Sequence, residues 1–198
     1  MAAPGVHPLV ERLERALAAH TPALAERDPP FKEAAVALLI HPRGEDDADL
    51  LFIRRATRDG DPWSGQIGLP GGRYDVEDGS LEATALRETM EEVGIDLRAH
   101  GRVIGQLDEL RPRTPVLPPI IVRPFVVLMD RQPPLSLSDE VAEARWVAVS
   151  ELFAPGTRVR TTVQPRGITM HVEAYQHGDF TIWGMTERIL ATFEGIWR

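Results

Sequence analysis

"GGRYDVEDGSLEATALRETMEEVGI", residues 71–95, is the stretch that decides the fold. The spacing predicts a helix from about Ser80 to Val93, with Gly94 as its C-terminal cap. On that helix Glu88, Glu91 and Glu92 fall at i, i+3 and i+4, so three carboxylates stack on one face. Like charges at these spacings destabilise a helix by about 0.2–0.5 kcal/mol per pair. A run of charge is ordinarily a solvated face. Here the opposite side carries Leu81, Ala85, Leu86, Met90 and Val93, so the helix is amphipathic and expected to dock. Hard divalent cations take oxygen ligands, and clustered carboxylates bind Mg²⁺ or Mn²⁺ without cysteine or histidine. A metal turns the repulsion into attraction.

The residues around the helix point the same way. "LPGG" (69–72) lets main chain approach a metal or phosphate closely, and a backbone carbonyl there can serve as a further oxygen ligand. Arg87 lies one residue before Glu88 and four before Glu91, placed to orient or partly neutralise the cluster. Magnesium on a few carboxylates, with water and substrate phosphate completing its octahedron, is a usual arrangement for phosphoryl chemistry.

The stretch resembles the Nudix box: Gly, five residues, Glu, seven residues, then Arg-Glu-hydrophobic-x-Glu-Glu-x-Gly-hydrophobic. Here five residues separate Gly72 from Asp78, and eight more precede "RETMEEVGI" (87–95). The departures are Asp78 in place of glutamate, one extra residue before Arg87, and Thr89 at the first hydrophobic slot. "GQIGLPGG", "IGQLDEL", "DEVAEARWVAVSEL" and "TIWGMTERIL" extend the resemblance to the coenzyme A diphosphatase branch of the Nudix hydrolases, from about residue 33 onward. That branch carries Leu-Leu-Thr-x-Arg-Ser/Ala, three residues, Arg, three residues, Gly, three residues, Phe-Pro-Gly-Gly. In "LFIRRATRDGDPWSGQIGLPGG" (51–72), Leu51, Arg55, Ala56, Gly65, Pro70, Gly71 and Gly72 fit. Phe52, Ile53 and Leu69 depart, one residue is inserted, and the second arginine is displaced toward Arg58.

The resemblance implies that Glu88, Glu91 and Glu92 ligate Mg²⁺ (or Mn²⁺), with the Gly71 carbonyl contributing. One of them, or Glu140 from a later loop, would act as general base, and Arg87 would fix the helix. Arg54, Arg55 and Arg58 are candidates for a distal phosphate, with Gly71 and Gly72 on the substrate. The expected reaction splits an X–diphosphate–Y substrate into two phosphate monoesters. Bland readings stand beside these roles. Glu140 reads equally as a helix-start or surface acid, and the arginines as a solvent-facing edge. Trp63 is a candidate to stack on adenine, though a loop tryptophan packed on the domain is commoner. Trp146 reads as core, and His171 and His177 read as neither base nor ligand. Asp108 and Glu109 receive no role. Coenzyme A or its thioesters is the leading substrate. The alternatives are ADP-ribose, a dinucleotide or a nucleoside triphosphate, and a Nudix-fold module that binds a nucleotide without hydrolysing it. The intact glutamates argue against the last.

The chain has 198 residues, 43% of them apolar and 26% charged, as in one ordinary globular domain. A net charge of −8 gives no global basic footprint for nucleic acid or an anionic membrane. With no cysteine there are no disulfides, thiolate metal sites or cysteine nucleophiles, which fits a reducing compartment. The longest apolar run, "AAVALLI" (34–40), is far short of a bilayer span, and the first 20 residues do not read as a leader. A soluble cytoplasmic protein acting on a small nucleotide-diphosphate substrate is expected, and relatives of this kind allow a homodimer.

The expected organisation is an N-terminal segment, 1–30, with an amphipathic helix over 7–20, laid against a single domain, 31–198. Strands are expected at 31–41, 48–56, 102–110, 119–129 and around 144–149. Between them lie a loop over 57–79 and a proline-rich loop over 111–119. A short helix near Ser150, a late hairpin over 166–177 and a closing helix over 181–198 complete the reading. The sum is an α/β (α+β) fold, an α/β/α sandwich with a mixed β-sheet between helices.

Overall fold

The computed structural model describes residues 7–112 and 117–198; the middle of the proline-rich loop and the start of the N-terminal segment lie outside them. At its centre is a hairpin of β1 (Lys32–Arg43) and β2 (Asp47–Arg55), turned at Gly44 with φ +63°. The two strands pair only near that turn, Ile40–Arg43 against Asp47–Leu50, and then part. The segment 67–73 enters the fork. Its first piece, β3 (Ile67–Gly68), pairs with Ile53 and Arg54 of β2. Its second, β4 (Gly71–Arg73), pairs with residues 34–36 of β1. Between them the Ala37 N–H donates to the Pro70 carbonyl at 2.8 Å.

The other edge of β1 runs parallel to β6 (Ile120–Met129), and β6 pairs antiparallel with β5 (Gly101–Gln106). The outer edge of β2 carries β7 (Val141–Ala148), which completes a mixed seven-stranded sheet. A strand covered on both faces must be apolar on both, which is why "AAVALLI" does not alternate. Ala35, Ala37 and Leu39 face Ala85 and Val93 of one helix, α2 (Leu81–Val93). Leu38 and Ile40 face the opposite layer. There Leu9 and Leu13 of α1 (Pro8–Ala19) join Leu190 and Phe193 of α5 (Met185–Trp197). This is the expected α/β/α sandwich. Two short helices, α3 (Leu97–His100) and α4 (Val149–Leu152), follow α2 and β7.

Four expectations change. The loop over 57–79 takes regular structure in its second half, as the fork and a 3₁₀ turn at Val76–Asp78. The late hairpin becomes a second, three-stranded antiparallel sheet of β8 (Arg158–Val163), β9 (Met170–His177) and β10 (Phe180–Trp183). Residues 181–183 therefore belong to a strand, with Phe180 and Ile182 turned inward, and the closing helix starts after Gly184. Met90 does not face the sheet; it is 53% exposed. It sits about 140° around the axis from Ala85, and Thr89 and Glu92 take the inward stripe instead. Among the described residues no helix is long and apolar enough to cross a membrane.

Candidate active site

The glycine pair is where the fork meets α2. Gly71 has φ +152°, and a Cβ there would fall 2.2 Å from the Ala35 carbonyl oxygen. Only glycine lets the segment lie this close to β1. A Cβ on Gly72 would lie 2.4 Å from the carboxylate carbon of Glu88. The helix is fixed at both ends: the Ser80 hydroxyl accepts the Ala83 N–H at 3.1 Å, and Gly94, at φ +73°, donates to the Met90 carbonyl.

The three glutamates of one helical turn occupy three different environments. The Glu92 side chain is 4% exposed, and its Oε2 accepts the Gly71 N–H at 2.9 Å. Arg55 Nη1 stands 3.7 Å from its Oε1, beyond hydrogen-bond length. Burial raises the Glu92 pKa to about 7, against the opposing pull of the Gly71 N–H and Arg55. Glu88, 18% exposed, is also raised by burial, with Arg87 opposing. Glu91 reaches outward, at 57%.

Arg87 ties the cluster together. Its Nη1 donates to Glu88 Oε1 and Glu91 Oε2, both at 2.9 Å. Its Nε and Nη2 donate to the two oxygens of Asp78 at 2.7 and 3.0 Å. Asp78 also accepts from the Thr84 hydroxyl at 2.7 Å and the Asp75 N–H at 3.1 Å. The departure noted in the sequence motif is therefore the arginine's main partner. Hydrogen bonding from Arg87 holds the Asp78 carboxyl well below the usual carboxylate range despite its burial.

Glu88, Glu91, Glu92 and Gly72 line a cavity of about 660 Å³ whose apolar wall includes Trp63, Ile120, Val122 and Met185. Arg55 also lines it, with its Nη2 on Asp61 Oδ2 at 3.0 Å. Glu140 lines it too, and accepts from Arg58 Nη1 at 2.9 Å. Arg54 points elsewhere, to Glu143 at 3.2 Å and over the Phe180 ring. Trp63 packs against Ala34, Ile120 and Val122. Trp146 is only partly buried, edge-on to His41 at 6.5 Å between centroids. His171 meets Thr162 and His177 meets Glu151, both outside the cavity wall. Sequence reasoning gave no role to Asp61 or Glu109. The former's signal was an acid six residues after an arginine on a strand end, and the latter's was an acid pair, Asp108 and Glu109, between Leu107 and Leu110.

The donor set fits a hard divalent ion. Glu88 and Glu92 are desolvated carboxylates one turn apart, each with a raised proton affinity that a nearby cation relieves. Among the described residues, no three His, Asp or Glu side chains are gathered tightly enough to hold an ion as they stand. Arg87 Nη1 bridges Glu88 and Glu91 instead.

The description "NUDIX domain" belongs to the family profile that matches residues 30–166. Peroxisomal coenzyme A diphosphatase ndx-8 of Caenorhabditis elegans is 32% identical over 158 residues, covering 78% of this chain and 64% of that protein. Uncharacterized Nudix hydrolase NudL of Photorhabdus laumondii is 37% identical over 130 residues, 64% of this chain and 66% of its own. An uncharacterized protein of Schizosaccharomyces pombe is 39% identical over 118 residues, 58% of this chain and 36% of its own. The chain thus spans from 36% to 66% of the length of these relatives. In fold, the MutT/nudix family protein from Enterococcus faecalis matches 95% of this chain and 69% of its own, at a TM-score of 0.58 and 22% identity. The family profile takes in the forked hairpin, the glycine pair, α2 and Glu140, and the chain belongs to the Nudix domain family.

Proposed function

We propose that the chain is a metal-dependent hydrolase that cleaves the diphosphate bond of a nucleoside diphosphate derivative. The leading substrate is coenzyme A, giving phosphopantetheine and adenosine 3′,5′-bisphosphate, or one of its thioesters. The observation that carries the reading is the buried Glu92, held by the Gly71 N–H beside Glu88 on the wall of one large cavity. The resemblance to a relative named as a coenzyme A diphosphatase, at 32% identity, supports the choice of substrate.

Glu88, Glu91 and Glu92 would hold Mg²⁺ or Mn²⁺, with the Gly71 carbonyl as a further oxygen. Bound there, the ion would offset phosphate charge and make water a stronger nucleophile. The chain's own groups do the rest. Arg87 keeps Glu88 and Glu91 together on the cavity side. Arg55 presents a guanidinium suited to phosphate oxygens beside Glu92. Glu140, on the loop before β7, is the candidate to take the proton from the attacking water, with Arg58 holding it toward the cavity. Water adds to one phosphorus, the bridging P–O bond breaks, and two monoesters leave.

Incubation with coenzyme A and Mg²⁺ or Mn²⁺ in ¹⁸O-water tests this. Mass spectrometry should find one heavy oxygen in one of the two monoester products. No cleavage with either metal would remove coenzyme A. A second reading, the same chemistry on ADP-ribose, a dinucleotide or a nucleoside triphosphate, is favoured by Arg58. The displaced signature arginine pairs with Glu140 rather than lining the cavity. Parallel incubation with those substrates separates the two readings.

A further inference from the structure

Asp61 is the acid that the function described so far leaves unused. It sits in the loop between β2 and β3, and its side chain is 16% exposed. That loop closes on itself: the Arg55 N–H donates to the Gln66 carbonyl at 3.0 Å across its base. Within it, the Asp61 N–H donates to the Arg58 carbonyl at 3.3 Å, and the Ser64 hydroxyl accepts the Arg58 N–H at 2.6 Å. Asp61 uses its two oxygens on different partners. Oδ2 accepts from Arg55 Nη2 at 3.0 Å and Nε at 3.3 Å. Oδ1 accepts the Trp63 N–H at 3.1 Å.

One carboxylate therefore fixes both an arginine and a tryptophan of the cavity wall. Its grip on Arg55 also limits that residue's other contact. Arg55 stays 3.7 Å from Glu92 Oε1, near enough to act through space and too far to take a hydrogen bond. Without Asp61, a long arginine side chain at this position has two cheaper choices: a closed pair with Glu92, or solvent. Either choice withdraws its donors from a ligand in the cavity.

We propose that Asp61 is a positioning residue, which holds Arg55 off Glu92 and aims its guanidinium into the cavity for the phosphate oxygens of the substrate. This rests on the reading of the cavity as a diphosphate site. Asp61 also borders the cavity, but its oxygens are committed to Arg55 and to the Trp63 N–H, so it acts through Arg55 and through the loop that carries it.

The test is a double-mutant cycle over Asp61→Asn and Arg55→Gln, read as steady-state hydrolysis of coenzyme A with Mg²⁺. Asparagine keeps an oxygen for the Trp63 N–H and loses the charge that holds Arg55. Asp61→Asn is expected to raise KM about tenfold and to lower kcat much less. In the Arg55→Gln background it should add almost nothing. Additive effects, or an unchanged KM, overturn the proposal. A second readout does not need turnover: the ¹⁵N resonance of the Arg55 side-chain Nε, in protein free of nucleotide. It should move to a solvent-exchanging or Glu92-paired position in Asp61→Asn, and an unmoved signal overturns the proposal. If the unsubstituted protein cleaves no diphosphate at all, the functional reading falls while this signal still decides whether Asp61 places Arg55.

Discussion

Arg87 grips Asp78 through two parallel hydrogen bonds, 2.7 and 3.0 Å long, while its remaining nitrogen spans Glu88 and Glu91. A two-point pair of this kind is among the stronger polar contacts a protein makes. It anchors the base of the acidic cluster to the 3₁₀ turn that precedes α2. Asp78→Ala leaves Arg87 free to close fully on the glutamates. We expect a loss of about 1–3 kcal/mol in stability, and a fall in metal affinity, since the glutamates then keep the arginine as counter-ion. Denaturant melts and Mn²⁺ titration by calorimetry measure both.

The two glycines fail in different ways when a methyl group is added. Gly71→Ala drives a Cβ into the backbone of Ala35 and Val36, at 2.2 and 2.6 Å, where nothing can yield without parting the strands. It should destabilise the protein by several kcal/mol, on the order of a strained backbone combined with overpacking. Gly72→Ala meets only the far end of the Glu88 side chain, at 2.4 Å, which can swing away. It should fold nearly as well and lose most of its turnover. Thermal melts and initial rates on the two variants separate these outcomes.

Glu92→Gln keeps the shape and the bond from Gly71 while removing the buried charge. Hydrolysis should fall at least about 10- to 100-fold, the range seen when groups that support a metal are replaced. The melting temperature without metal should hold or rise, because a desolvated carboxylate is no longer present to be ionised near neutral pH. Rates with Mg²⁺, and melts in a chelator, check the two halves. A drop in both would count against the assignment.

Glu109 governs stability in acid. Burial alone would raise its pKa, yet hydrogen bonds from Arg27, the Ala25 N–H and Arg123 hold it at about 2, below the ordinary 4.5. A depressed carboxyl contributes its full share above the unfolded value, and loses it as pH falls from about 4.5 towards 2. Glu109→Gln removes the buried charge that Arg27 and Arg123 share and should cost about 2–4 kcal/mol at neutral pH. Urea midpoints for the parent and the variant should converge across that acid window. A difference that stays constant down to pH 2 would rule this out.

The helix, its three glutamates and the glycine pair were legible because charge spacing and turn residues are local properties. The unequal surroundings of Glu88, Glu91 and Glu92 were not, since they depend on which side the sheet and the fork approach. Thr89 and Glu92, polar in sequence, face inward, while Met90 faces out. Strands β3 and β4 have two and three residues and include glycines, so they carry no periodicity; pairing with β1 and β2 creates them. Strand β8 alternates only weakly: Val159, Thr161 and Val163 share the half-buried face, and no side chain of "RVRTTV" is fully buried. Asp61 meets Arg55 only six positions away, across a loop whose shape the sequence does not spell out, and Glu109 meets Arg27 more than 80 positions upstream, beyond the reach of local pattern.

Wedging the glycine pair between two strands has a consequence for how the family member can change. The rigid half of the site opens only when the central sheet does, so its amide hydrogens should exchange with solvent as slowly as those of the core. The adaptable half is the outer rim, where the Arg58 side chain is exposed. Evolution or an engineer can reshape that rim for new cargo while the innermost acids stay in register.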